Sequence, residues 1–213
     1  MNSYNIGIDT GGTYTDAVII DNQSRKLVAS AKALTTRGDL SIGVIEALDK
    51  VMQQASDEVS ADSISLVSLS TTLATNALVE GQGSRIGVLL IGFDDVMLER
   101  SNLESAIPSA LVTRVAGGHS YDGSEATVLD EAAIRDMLEE NAGKVGAYAV
   151  ASHYSVRNPE HERRAQALIR EISGCPVTAS CDLSEALNGP RRALTAAFNA
   201  RIIALIVALV DAV

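Results

Sequence analysis

The chain has 213 residues, 46% of them hydrophobic, and a formal net charge of −10. That size and apolar content suit one ordinary domain, or a domain with an appendage, and argue against disorder. The acidic balance argues against nucleic acid and anionic membranes as partners, because neither long-range attraction nor counterion release would help. A nucleotide site stays open, since it needs only local donors. Cys175 and Cys181 fit neither a CxxC redox pair nor a zinc ribbon, and read as reduced thiols of a cytoplasmic protein. The opening MNSYNIGID lacks the basic and apolar regions of a secretion signal. The longest apolar run, IIALIVALV at 202–210, is well short of the roughly 18 residues that a membrane span needs.

Three short apolar, β-branched runs come first, at 4–9, 16–21 and 27–34, separated by GGT and DNQS turn signals. Such tight turns predict an antiparallel meander. Asp39 or Ser41 then caps a helix with Val44, Ile45, Leu48, Val51 and Met52 at helical spacing. A strand at 64–70, a helix from TTLATNALVE and a strand at 85–91 predict a right-handed parallel crossover. A strand near 111–116 leads into the loop GGHSYDG. Asp130 caps a helix with Ala133, Ile134, Met137 and Leu138 on one face. AYAVASHY is a strand. Asn158-Pro159 starts a helix in the favoured cap-then-proline order, with Ala165, Leu168, Ile169 and Ile172 inward. PVTAS is a further strand, and Gly189-Pro190 opens a last helix. From Ile202 on, that helix is apolar on nearly every face and expects cover from all sides. Cover supplied by sequence outside this chain is the expectation, with burial in a dimer as the other reading.

The densest chemistry lies in Asp9-Thr10-Gly11-Gly12-Thr13-Tyr14-Thr15-Asp16. Two adjacent glycines allow a sharp turn with positive φ and a close ligand approach. Consecutive amides there can form an anion-cradling nest, and Thr10, Thr13 and Thr15 add hydroxyl donors. Asp9 ends an apolar strand, where a carboxylate has little structural reason to be. It is a candidate to hold Mg2+, usually through water, or to orient an attacking water. A Walker loop is absent. The dinucleotide fingerprint is excluded because a strand, not a helix, follows the glycines.

IGIDTGGTYTDAVI resembles the first phosphate hairpin of the actin, hexokinase and heat-shock ATPase superfamily. More narrowly, the chain resembles the N-terminal region of the hydantoinase A/5-oxoprolinase family. STTLATNALVEGQGSRIGVLLIGFDD resembles that family's TNA-L block, RVAGGHSYDG its GGH block, SVRNPEHERRA its NPEHE block and RRALTAAFNARI the start of its second region. These blocks come in family order over nearly the whole chain. Glu80-Gly81-Gln82 departs from the Glu-Arg often found there.

The resemblance implies ATP-driven opening of a cyclic amide of the hydantoin or 5-oxoproline type. ATP phosphorylates the carbonyl oxygen, and water then opens the activated ring. Mg2+, phosphate donors and in-line geometry are the corresponding needs. Related members serve as subunits of ATP-dependent ketone carboxylases. A non-catalytic ATP-binding or assembly module is a third reading. Ser70, Thr71, Thr72, Thr75 and Asn76 cluster where a strand becomes a helix, a setting for an anion or substrate. Thr71, Thr72 and Asn76 are therefore substrate-binding candidates. Asp9, Asp16 and His119 are the candidate catalytic groups, with the general base unassigned among them, and Asp122 is near enough to join His119. His153 ends a strand, where active-site residues often sit in α/β sheets. His161, between Glu160 and Glu162 in a first helical turn, reads as structural. Arg163-Arg164 and Arg191-Arg192 read as solvated, although Arg191 or Arg192 matches the family arginine.

The predicted fold is α/β: a ribonuclease H-like mixed sheet that starts with three antiparallel strands, plus an additional α/β section. The expected organisation is an N-terminal domain over 1–182, with a phosphate-hairpin section at 1–100 and a second section at 101–182. Residues 183–213 would begin a following domain. The nucleotide would be clamped by the rest of the polypeptide or by a second subunit, in an oligomer. The isolated chain is expected to have little ATPase activity.

Overall fold

A computed structural model describes residues 3–36, 39–71 and 85–211. The chain divides into two compact units, Met1–Gln82 with Leu205–Val213, and Gly83–Ala204. Residues 183–204 group with the second unit.

In the first unit, β1 (Tyr4–Thr10), β2 (Tyr14–Asp21) and β3 (Leu27–Leu34) form the predicted antiparallel meander. Helix α1 (Leu40–Gln54) follows, its first turn capped by Asp39, which accepts from Ser41 N. Strand β4 (Ile64–Thr71) then lies parallel to β1, giving the order β3-β2-β1-β4. Alternation along the strands sends Tyr4, Ile6, Ile8, Ala17 and Ile19 to one face, where they pack with Val44, Ala47 and Val51 of α1. Ile45, expected on the inner stripe, is 41% exposed, because the buried row runs through Gly43, Val44, Ala47 and Val51.

In the second unit, β5 (Ile86–Ile91), β6 (Leu111–Val115), β7 (Ala147–Ser152) and β8 (Val177–Ala179) form a wholly parallel sheet of order β6-β5-β7-β8. The crossover predicted between 64–70 and 85–91 is therefore not made within one sheet: β4 pairs with β1, and β5 opens a new sheet. Every residue of β5 and β7 is buried, as a strand covered on both faces requires. One face carries α4 (Glu131–Glu140) and α5 (Glu160–Ser173), through Ile134, Met137, Leu138, Ala165, Leu168 and Ile169. The other carries the part of α7 (Gly189–Asp211) up to Ala204, whose Ala193, Ala196, Ala197 and Ala200 are small enough for close approach to the sheet. Short helices α2 (Asp95–Ser101), α3 (Leu103–Ala106) and α6 (Ser180–Leu183) complete the unit, and none of them is legible in the sequence pattern. Gly87 is required because the Tyr148 ring occupies the space of a Cβ. Ile172, predicted inward, is 41% exposed, in the last turn before Gly174 ends α5 with φ 66°. Among the described residues no helix is long and apolar enough to cross a membrane.

Candidate functional site

The first unit places its candidates at the β1–β2 turn. Gly11 N–H donates to Tyr14 O at 3.0 Å and closes it. Strand alternation then sorts the threonines. Thr10 and Thr15, paired across the ladder, are 2% and 0% exposed on the core face. The Thr15 hydroxyl lies 3.1 Å from that of Thr35, which donates to Gly11 O at 2.9 Å. Thr10 Oγ1 is buried and has no hydrogen-bond partner among the described residues. Of the three hydroxyls expected to meet phosphate, only that of Thr13 belongs to an exposed residue. Neither Gly11 nor Gly12 takes the positive φ expected of this turn. Space, not φ, calls for glycine at 11, since a Cβ there would lie 3.1 Å from Tyr14 O.

The carboxylates occupy the other face. Asp9 and Asp16 are directly opposite across β1 and β2, in a row continued by Ser70 on β4 and Lys32 on β3. Like charges so placed repel. Lys32 Nζ, 3.0 Å from Asp16 Oδ1, offsets one of them, and Asp9 is exposed. Such a pair fits Mg2+, which is held by one or two carboxylates while water and phosphate fill the remaining positions. Among the described residues no cluster of three or more metal-binding side chains exists, so none of them forms an all-protein metal cage. Thr71 ends β4 opposite Thr10; Thr72 and Asn76 lie outside the described residues.

In the second unit, the GGH loop follows β6. Gly117 and Gly118 have φ of 144° and 96°, and a Cβ on Gly117 would lie 2.6 Å from Ile91 Cγ2. Glycine is thus needed here, rather than at 11 and 12, for its conformational freedom. Gly118 N–H donates to His161 Nδ1 at 2.9 Å, and His161 Nε2 lies 2.9 Å from Glu125 Oε1. Because Nδ1 accepts, the ring proton sits on Nε2 and is donated to Glu125. His161, 4% exposed, therefore pins the loop.

The His119 ring rests on that of His161, with centroids 4.3 Å apart. It is 1% exposed, and among the described residues neither ring nitrogen has a hydrogen-bond partner. Burial, reinforced by His161, pushes the His119 pKa below the usual histidine value, so the ring is a neutral base at neutral pH. Its backbone N–H donates to His153 O at 3.2 Å. Burial likewise lowers the His153 pKa. Asp122 does not join this group: it faces solvent and accepts from the Ser124 hydroxyl and amide, which hold its carboxyl below the usual range.

The sequence assigned no role to Glu162 or Glu125, and took Arg192 as solvated. The structure corrects the last. Arg192 is 2% exposed and donates to Ala186 O, Ser152 O, Ser155 Oγ and Ser180 Oγ. Glu162, fully buried, accepts from Ser152 N at 2.6 Å, Ser180 Oγ at 2.7 Å and Cys181 N at 2.8 Å. Arg163 and Arg164 keep exposed side chains but pair with Asp182 and Glu131.

The family model of the hydantoinase/oxoprolinase N-terminal region matches residues 5–173. This chain belongs to that family. Within the family, it is 35% identical over 185 residues to caprolactamase subunit alpha of Pseudomonas jessenii, covering 78% of this chain and 26% of the relative. It is 32% identical over 229 residues to the acetophenone carboxylase gamma subunit of Aromatoleum aromaticum, covering 92% of this chain and 30% of the relative. The crystal structure of the ATP-dependent caprolactamase from P. jessenii superposes with a TM-score of 0.75 at 28% identity, over 98% of this chain and 33% of that one. A nucleotide-free acetone carboxylase shares the fold, with a TM-score of 0.72 at 21% identity over 100% of this chain and 34% of that one. This member of the family thus spans about a third or less of the length of the proteins it matches.

Proposed function

We propose that this chain is the N-terminal part of an enzyme that uses ATP to activate and hydrolyse a cyclic amide, of the lactam, hydantoin or 5-oxoproline type. The observation that carries the reading is the β1–β2 hairpin. Its exposed Gly12-Thr13 tip adjoins a row of two carboxylates, Asp9 and Asp16, on the open face of a mixed sheet that we read as ribonuclease H-like. Gly11, Gly12 and Thr13 would contact the nucleotide phosphates, with Thr10 and Thr15 setting the hairpin from beneath. Asp9, with Asp16 beside it, would hold Mg2+, which supplies charge neutralisation at the phosphates when bound. His119 stays the proposed base of its unit: its ring is neutral and, among the described residues, neither nitrogen has a partner. As a general base it would accept a proton in the hydrolytic step. Thr71, Thr72 and Asn76 stay proposed substrate contacts. The remainder of the longer protein, or a second subunit, would complete the site, and a cytoplasmic location agrees with two free cysteines.

The test is ATP turnover by the full-length protein, with ADP and ring-opened product measured for ε-caprolactam, hydantoin and 5-oxoproline. Turnover that requires the amide and is lost in Asp9→Asn supports the reading. No amide-dependent turnover with any of the three would end it. A second reading, a ketone carboxylase subunit, is favoured by the 32% identity to the acetophenone carboxylase gamma subunit. ATP hydrolysis that depends on ketone and bicarbonate separates it from the first. Nucleotide binding without any turnover would leave the assembly-module reading.

A further inference from the structure

A cavity of about 680 Å3 opens in the second unit. The chain runs from β5 to β6 on one side and returns to β7 on the other, so β5 and β7 flank the topological switch point of the sheet. Open α/β sheets bind ligands outside the carboxyl ends of their strands at such a point. His153 and Tyr154, which directly follow β7, line the cavity, as do Arg100 at the end of α2 and Arg191 at the start of α7. Its volume falls within the range of about 300 to 1,000 Å3 typical of small-molecule sites.

The lining has a definite chemistry. Arg100 and Arg191 are both exposed, and neither makes an ion pair among the described residues, whereas Arg114, Arg163 and Arg164 each hold a carboxylate. Among the described residues no Asp or Glu lines the cavity, although the chain carries a net charge of −10. Met97, Leu187 and Leu194 supply an apolar wall, and Leu187 is left 58% exposed. Two of the rim residues, Asn102 and Tyr154, have φ of 55° and 54°. Asn102 is the left-handed C-cap of α2, which accounts for its φ, whereas at Tyr154 such a backbone costs about 1–3 kcal/mol. The start of α7 is not the anchor, since Asn188 Oδ1 already accepts from Arg191 N at 3.1 Å.

We propose that this cavity binds the carboxylate of a small aliphatic organic acid, with the Arg100 and Arg191 guanidiniums on the carboxylate and Met97, Leu187 and Leu194 along the aliphatic chain. Guanidinium forks match a planar carboxylate in geometry as well as in charge. This proposal does not depend on the proposed ATP chemistry.

Calorimetric titration without nucleotide tests it, with hexanoate as probe, hexanamide as its uncharged match and inorganic phosphate as the competing oxyanion. Hexanoate should bind in preference to hexanamide, more weakly at high salt. The double variant R100Q/R191Q should weaken hexanoate at least about tenfold, the loss expected for removing charge-assisted hydrogen bonds. Both arginines are exposed, so an unchanged melting curve checks that the variant is folded, and R191E should weaken binding further. Equal binding of hexanoate and hexanamide overturns the proposal. So does an unchanged affinity in the folded double variant, or binding of phosphate but not of hexanoate.

Discussion

Removing the Glu162 carboxylate should destabilise the second unit more than any surface change in it. Three donors converge on this fully buried group: the amides of Ser152 and Cys181 and the hydroxyl of Ser180. Ser180 Oγ also accepts from Arg192 Nε at 3.3 Å, so one hydroxyl joins a buried anion to a buried cation. Glu162→Ala strands the donors and leaves Arg192 without a compensating charge. A broken buried pair costs about 3–5 kcal/mol, and a protein of this size loses roughly 2–4 °C in Tm for each kcal/mol. The expected fall is therefore roughly 6–20 °C. Glu162→Gln keeps the shape and one acceptor, and should cost about 2–3 kcal/mol. Urea unfolding followed by hydrogen exchange at β7 and β8 reads the effect where it acts. A cycle with Arg192→Met should show coupling above about 1 kcal/mol. A loss below about 1 kcal/mol for Glu162→Ala, or strict additivity with Arg192→Met, would refute the account of this network.

Three further outcomes follow from the same geometry. His119 and His153 both have pKa values lowered from 6.5 by burial, so the unfolded chain binds more protons between the two values. Stability should be level above pH 6.5 and fall as pH drops through the lowered values, and His119→Phe should flatten the acid limb in urea titrations. Burial, with Glu162 beside it, pushes the Cys181 thiol up to about 12; iodoacetamide at pH 8 should label it far more slowly than an unfolded control, and rapid labelling would contradict that environment. Asp9→Asn removes a like charge opposite Asp16, so it should leave the fold intact and raise stability by up to about 0.5 kcal/mol, while abolishing amide-dependent ATP turnover in the full-length protein.

Much of the architecture was legible because it is written in local periodicity. The meander, the caps at Asp39 and Asp130 and the αα face of the second sheet follow from alternation, spacing and single side chains. Turn and cap signals likewise located the GGH loop and the helix Glu160–Ser173, although Pro159, and not Asn158, is its N-cap. Three things were not local. Which sheet a strand joins is settled by partners far along the chain, and so β4 and β5, adjacent in sequence, part company. Whether an arginine is solvated depends on what surrounds it: Arg191 and Arg192 are neighbours, yet one lines a cavity and the other is buried among four acceptors. The same alternation that was read correctly along β1 and β2 also decides which face each residue takes. It turns Thr10 and Thr15 into the core and puts Asp9 and Asp16 on the open face, a consequence that appears only once the helix covering one side is in place. Sequence alone therefore determined the β1–β2 hairpin and the family. Tertiary structure determined which of its groups can meet a ligand, because burial and charge partners are properties of packing and not of spacing.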